Sequence, residues 1–393
     1  MTRACNPLAE AEAIYDWLCK RRRYLNRHPE LSRQEQKTAR YCRQELKALG
    51  YELSNGWGYG FFADLKVAKP RGRVAFRCDM DALPVDESLE LDYCAFEKGA
   101  AHLCGHDLHM AILLGVGRLL AEYKSKLHCD LRLIFQPCEE QLPGGAIGMI
   151  ERNCLEGVDE IYAIHNDPQQ SVGQLSTRNG QITANADAFE LEIIGRACQA
   201  EMPHLGLDPI MAAAELVAHW QHLVSRRFAP DHGVVLSVTQ LHAGDSFNSL
   251  AQTVHCQGIV RTYTREEQQK IEHLIRSSLY AYEAQGYRIE FRFIKGYPAV
   301  ENHPQCVERI AQAAGQLLTE GQLNTQMSPY GSGDDFSYYL HQIPGAMLFL
   351  GSSQAEFSDA HPLHSPHYQV DERCMPLGCA LLMQLALDFK KSG

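Results

Sequence analysis

Nowhere does this sequence approach the roughly 18 consecutive apolar residues that a membrane-spanning helix needs, and its start, Met1-Thr2-Arg3-Ala4-Cys5-Asn6-Pro7, lacks the apolar stretch of a secretory leader. Positive charge is in deficit: 37 Lys and Arg stand against 48 Asp and Glu, a net charge of -11. Nucleic acid and anionic membranes both call for a basic surface, so neither is expected as a partner. The one basic cluster, Arg21-Arg22-Arg23 beside Lys20 and Tyr24, reads as a solvated helix face. Closely paired cysteines are also missing. The 14 cysteines are scattered along a chain too long to need staples, which fits reduced thiols in the cytoplasm better than a disulfide framework. Internal repeats and low-complexity tracts are absent.

What is present is length and apolar content: 393 residues, 45% of them hydrophobic, enough for two folded units with cores of their own. Residues 8–24 and 35–49 have amphipathic helical spacing and flank Arg27-His28-Pro29-Glu30-Leu31, where Pro29 interrupts the pattern and His28 reads as structural. Short apolar runs follow at 60–65, 73–77, 131–135 and 160–164, separated by helical patterns near 107–123 and 144–153. Strands alternating with helices predict an α/β unit with a mostly parallel sheet, whose functional residues gather at the carboxyl ends of the strands. From about Gly173 the pattern changes: strands near 186–193, 233–242, 250–262 and 288–293 interleave with helices at 209–224 and 265–284. That β-α-β-β-α-β order is a split βαβ, ferredoxin-like α+β unit. Because α/β signals resume with a helix at 303–319, a strand at 345–351 and a helix at 376–390, it reads as an insertion.

Metal chemistry is written most densely in Leu103-Cys104-Gly105-His106-Asp107-Leu108-His109. A thiol, a carboxylate and two imidazoles stand just before an apolar helical run, with Asp107 as the expected helix cap. Cys104 and His106 would diverge on a regular helix, whereas an extended turn entering the helix lets both face one ion. Further candidate ligands stand where strands end or in loops: Glu139 or Glu140 after 131–135, His165 after 160–164, and His364. Five mixed N, O and S ligands at wide spacing suit two ions with open positions better than one closed structural zinc. Adjacent residues leaving a strand point to opposite sides, so one of Glu139 and Glu140 can bind metal while the other moves a proton.

With these residues goes a resemblance. Asp79-Met-Asp-Ala-Leu-Pro84, Cys104-Gly-His-Asp-Leu-His-Met110, Phe135-Gln-Pro-Cys-Glu-Glu140, His204-Leu-Gly-Leu-Asp-Pro-Ile210, Asp335-Phe-Ser-Tyr-Tyr339 and Leu363-His-Ser-Pro366 together resemble, in order and over almost the whole chain, the M20 metallopeptidases. The similarity is to their amidohydrolase branch of N-acyl-amino-acid, hippurate and auxin-conjugate hydrolases. It implies a catalytic domain of residues 1–178 and 296–393 and an inserted lid domain, 179–295, on which two copies can pair as a homodimer. It implies two divalent ions, manganese or zinc first, cobalt or nickel as further options. Cys104 would bridge them, His106 and His165 would complete one, and Glu140 and His364 the other. Glu139 would be the general base, Asp81 would orient a ligand, and His109 would be a supporting residue grouped with the substrate-binding positions. Asp79 stands where other branches carry a metal-binding histidine, which puts a ligand role for it in doubt.

The implied substrate is a small N-acyl amino acid or related conjugate; a dipeptidase or carboxypeptidase of the same superfamily is the nearest alternative. The lid departs from the family at one position. Relatives read Gly-His-Ala-Ala-x-Pro-His, and here Cys198-Gln199-Ala200-Glu201-Met202-Pro203-His204 puts Gln199 where the oxyanion-stabilising histidine is expected. An amide can donate a hydrogen bond but carries no charge, so a slowed or retuned enzyme is expected, or a weakened protein that binds metabolites. Asn248 and Arg261 fall at lid positions that contact substrate in relatives, Arg261 through a carboxylate; a turn amide and an exposed strand charge are their plain alternative.

Overall fold

A computed structural model describes residues 5–89, 91–353 and 361–391; residues 1–4, over which the absence of a leader was read in part, lie outside it. The chain divides into two units. The first comprises Met1–Ile182, Val300–Ser328 and Asp335–Gly393, the second Thr183–Ala299 and Pro329–Asp334.

The first unit is organised on an eight-stranded sheet. Its centre is four parallel strands in the spatial order Asp130–Gln136, Arg73–Asp79, Glu160–Ser171 and Gly345–Ser353. These strands are buried nearly throughout, as parallel strands covered on both faces must be. Phe61–Leu65 and Glu52–Asn55 add an antiparallel edge. The helix His106–Glu122 is apolar nearly all round because Tyr15–Arg27, Gln36–Ala48 and Met375–Asp388 pack against it. Among the described residues, no helix is long and apolar enough to cross a membrane.

Several local expectations need correcting. Residues 8–24 form two helices, Pro7–Ala13 and Tyr15–Arg27, with the break at Ile14. The helix expected over 303–319 stops at Ala314, and the chain beyond Gly315 closes in single turns. Arg22 is not solvated: it is buried against Asp107 and Glu372, while Arg23 also pairs with Glu372. A guanidinium is tolerated there because two carboxylates meet it. His28 is structural in the sense expected, its ring bonded to the Tyr24 carbonyl.

The second unit is a four-stranded antiparallel sheet in the order Arg288–Ile294, Asn185–Ile194, Thr253–Thr262 and Val235–Ala243, with two helices, Pro209–Arg227 and Arg265–Glu283. Asn185–Ile194 alternates buried and half-buried residues without a break. Phe189, Leu191 and Ile193 share a core with Leu216 and Trp220 of one helix and Ile271, Ile275 and Leu279 of the other. Asp208 caps the first helix through the Ile210 amide, and Thr264 with Glu267 forms a capping box on the second.

Candidate metal centre

The Cys104–His106 segment reaches one pocket because Gly105 between them is left-handed, at φ 87°. A Cβ on Gly105 would stand 2.0 Å from Asn166 Oδ1, so no other residue fits there. Gly105, not Asp107, occupies the cap position, and Asp107 is the helix's second residue. Its carboxylate is needed elsewhere, on Arg22 Nε at 2.7 Å and Asn26 Nδ2 at 3.1 Å.

His165 lies inside a strand that runs on to Ser171, rather than at its end. Its ring still reaches Cys104, His106 and His109. The neighbouring strand pairs with this one only as far as Arg77 opposite Ala163, so the sheet has begun to part where His165 stands. Glu139 and Glu140 follow the end of Asp130–Gln136. His364 arrives on a loop fixed by its amide to the Leu103 carbonyl at 2.8 Å.

The donor atoms of Cys104, His106 and His165 lie within 4.8 Å of one another, and so do those of Cys104, Glu140 and His364. Both groups contain Cys104. The separations are 3.6 Å from Cys104 Sγ to His165 Nε2, 3.8 Å from His106 Nε2 to Glu140 Oε1, and 3.4 Å from His364 Nε2 to Glu140 Oε1. Ligands on a common tetrahedral zinc-like ion sit about 3.3 to 3.6 Å apart, which the Cys104–His165 and Glu140–His364 pairs match, while the His106–Glu140 distance spans the two groups.

Tautomers and orphaned atoms test the fit further. His106 Nδ1 donates to the Asp81 carbonyl and His165 Nδ1 to the Asn166 carbonyl, each at 2.8 Å. A carbonyl only accepts, so in both neutral rings the lone pair is left on Nε2, aimed into the pocket. His106 Nε2 and Glu140 Oε1 are buried without a hydrogen-bond partner. Burial works against a charge on His106, but the Asp79 and Asp81 carboxylates overcome it and push the imidazole up to about 10. Such a field attracts a cation, and a metal ion can take the place of that proton. Burial, with His109 beside it, pushes His165 down to about 3, leaving it neutral and ready to ligate. Burial and then the Glu140 and Glu139 carboxylates push the Cys104 thiol well above its ordinary range; a divalent ion reverses that balance. The donor set fits a metal centre.

Asp81 acts at two levels. Its carbonyl holds His106, while its carboxylate accepts the amides of Glu139 at 3.0 Å and Glu140 at 2.9 Å and the Ser32 hydroxyl at 2.7 Å. His109 is in the pocket wall, with Nδ1 on Asp79 at 2.7 Å and Nε2 against Asn166. Asp79 is 3.8 Å from His106 Nε2, but its two oxygens already meet His109 and Arg77. Although burial would raise it, His106, His109 and Arg77 hold Asp79 well below the usual carboxylate range.

The remaining candidates belong to the second unit. Gln199 pairs with Ser249, and the Asn248 carbonyl accepts the Ala200 amide, so the Gln199 and Asn248 loops run side by side with both residues exposed. The Arg261 guanidinium donates to the carbonyls of Gly331, Asp187 and Val260 at 2.9 to 3.0 Å.

Comparison with known proteins bears on this geometry. The sequence model of "Peptidase family M20/M25/M40" matches residues 75–388. The chain belongs to this family. Among its curated relatives, Thermostable carboxypeptidase 1 of Saccharolobus solfataricus is 32% identical over 387 residues, covering 97% of each chain. N-acetyl-L-cysteine deacetylase of Bacillus subtilis is 33% identical over 357 residues, 89% of this chain and 83% of the relative. A solved structure of a dinuclear metal-binding peptidase from the M20 family, also from Bacillus subtilis, superposes with a TM-score of 0.83 at 29% identity, covering 96% of this chain and 98% of that one. This M20 member is thus a metal-dependent hydrolase of amide bonds.

Sequence reasoning overlooked the supports of this M20 pocket. Arg77 and Gln136 both bond Asp335, which also accepts the Ala146 amide, and Asn166 joins His109 to Tyr368. Asp335 lay inside a recognised motif without a role, and Tyr368 stands two residues past the Leu363–Pro366 motif without being part of it.

Proposed function

We propose that the protein hydrolyses the amide bond of N-acyl amino acids or related small conjugates, using two divalent ions. The observation that carries this reading is the pair of donor groups sharing Cys104 beside Glu139. Cys104, His106 and His165 would hold one ion, and Cys104, Glu140 and His364 the other. When bound, the ions supply Lewis acidity to the scissile carbonyl and acidify the attacking water. Glu139 takes a proton from that water and hands it to the leaving amine. It suits this work because Asp81 fixes its backbone amide, and its Oε2 stands 3.9 Å from His106 Nε2 at the pocket's edge. Asp81 keeps His106 and the two glutamates in register, and His109 steadies the wall through Asp79.

In the second unit, Gln199 and Asn248 carry exposed amides able to donate hydrogen bonds to a substrate. Arg261 pairs with a substrate carboxylate, for which it must give up some of its carbonyl bonds. The named activities of relatives include both a deacetylase and a carboxypeptidase; the amidohydrolase motifs favour the acyl-amide substrate, with dipeptides as the second class to assay. The test is a panel of N-acyl amino acids and dipeptides offered to protein reloaded with manganese or zinc. Release of amino acid from the acyl panel, lost in Glu139→Ala, is expected; activity surviving that substitution rules out the proposed base.

A further inference from the structure

Three consecutive backbone amides ahead of the pocket end on side-chain carboxylates. Those of Glu139 and Glu140 go to Asp81, and that of Cys138 goes to Glu35 Oε1 at 2.8 Å. The same Glu35 oxygen accepts the amide of Arg33 at 2.9 Å. Cys138 and Arg33 are both left-handed without being glycine, at φ 58° and 67°. Such backbone costs on the order of 1 to 2 kcal/mol per residue and persists only where the surroundings impose it. Glu35 is wholly buried, and its second oxygen has no hydrogen-bond partner. Burying a carboxyl with half its capacity unused is costly, and the core packing of the helix Gln36–Ala48 does not require it, since Ala39, Cys42 and Leu46 supply that contact.

We infer that Glu35 is a positioning residue for Glu139 and Glu140: by fixing the left-handed turn at Cys138 it sets the direction in which both carboxylates leave the strand. The inference rests on the roles proposed above for those two residues. With Glu35 removed, Cys138 loses the acceptor that holds its left-handed turn, and Asp81 alone is left to hold the two amides that follow, so the pair is less firmly aimed at Cys104 and His364. Only the acceptor oxygen matters in this account. Glutamine at 35 supplies one with the same reach, and because burial already pushes the Glu35 carboxyl up to about 7, losing its charge is a small change.

The test compares Glu35→Gln with Glu35→Ala in the full-length protein by three readouts: manganese affinity by calorimetry, amide hydrogen exchange of the segment 138–140 in metal-free protein, and kcat and KM on an N-acetyl amino acid that the parent hydrolyses. Residues that support a metal ligand from behind are worth about 10- to 100-fold in affinity or activity. E35A is expected to lose manganese affinity and kcat in that range with KM nearly unchanged and with faster exchange at 138–140, and E35Q to stay within about threefold of the parent. Unchanged manganese affinity and exchange in folded E35A overturn the inference, as does E35Q damaged as badly as E35A. Should E35A fail to fold, E35D, which falls one methylene short, takes its place against E35Q under the same criteria. A parent inactive on every acyl substrate defeats the proposed function alone, because affinity and exchange still report on Glu35.

Discussion

In the first unit Asp79, Asp81, Cys104, His106 and His109 are at most 7% exposed and His364 alone of the proposed ligands stands largely in solvent, whereas in the second Gln199 and Asn248 are exposed and the adjacent Phe247 is 99% exposed. The two regions meet different demands. The wall of the pocket is kept out of water and tied down atom by atom, and a carboxylate or imidazole binds metal more tightly the less it has to rearrange. The Gln199 and Asn248 loops are joined by backbone bonds, Ala200 to Asn248 and Leu250 to Cys198, and their side chains are left exposed. A substitution in the pocket therefore disturbs many fixed partners at once, while one in the loops changes a single contact.

That contrast can be broken or sharpened by mutation. The largest effect is expected at Glu139: Glu139→Gln should lower kcat by about 10³-fold while leaving metal content unchanged, measured by steady-state assay and elemental analysis. Next comes the scaffold behind the pocket. Asp107→Asn strips Arg22 of its nearest carboxylate, 2.7 Å away, in a site where both side chains are almost wholly buried. Breaking such a pair costs about 3 kcal/mol or more, read as a lower midpoint in urea denaturation. A loss below 1 kcal/mol would show the pair to be dispensable. In the loops, Gln199→His should raise turnover by roughly tenfold, since the amide already supplies part of the roughly 3 kcal/mol that one oxyanion donor is worth; a fall in turnover would mean that the amide is already the fitted group. The smallest change is Arg276→Ala, which removes an exposed helix pair with Glu272 at 2.9 Å. It should shift stability by less than about 0.5 kcal/mol in the same denaturation experiment.

The sequence was most readable where one short segment carries a whole pattern. Alternation over Asn185–Ile194 and the apolar runs of the parallel strands announced two kinds of sheet, because periodicity and burial are local properties. The cluster from Cys104 to His109 announced a metal pocket, and the structure brings Glu140, His165 and His364 to it from distant segments. What stayed hidden depends on partners far away along the chain. Arg22 reads as a surface charge until Asp107 and Glu372 fold onto it. Asp107 reads as a helix cap until Gly105 is seen to adopt the left-handed turn. Glu35 is one more polar residue at a helix start, and its bond to Cys138 spans 103 positions. The turn types around Cys138 and His364 were equally illegible, since positive φ is uncommon for any residue but glycine.

The interrupted path of the first unit has a consequence for how the protein is made. Its closing helix, Met375–Asp388, packs on its opening helix, Pro7–Ala13, and on His106–Glu122, and the pocket awaits His364. During synthesis the second unit's sheet and helices, nearly all within Thr183–Ala299, emerge from the ribosome well before those pieces do. The later-synthesised unit can thus be folded while the earlier one is still open, with its apolar strands not yet covered. Metal loading is by this order a late event of biogenesis, and a nascent chain stalled before His364 would carry a finished second unit and an unfinished cation site.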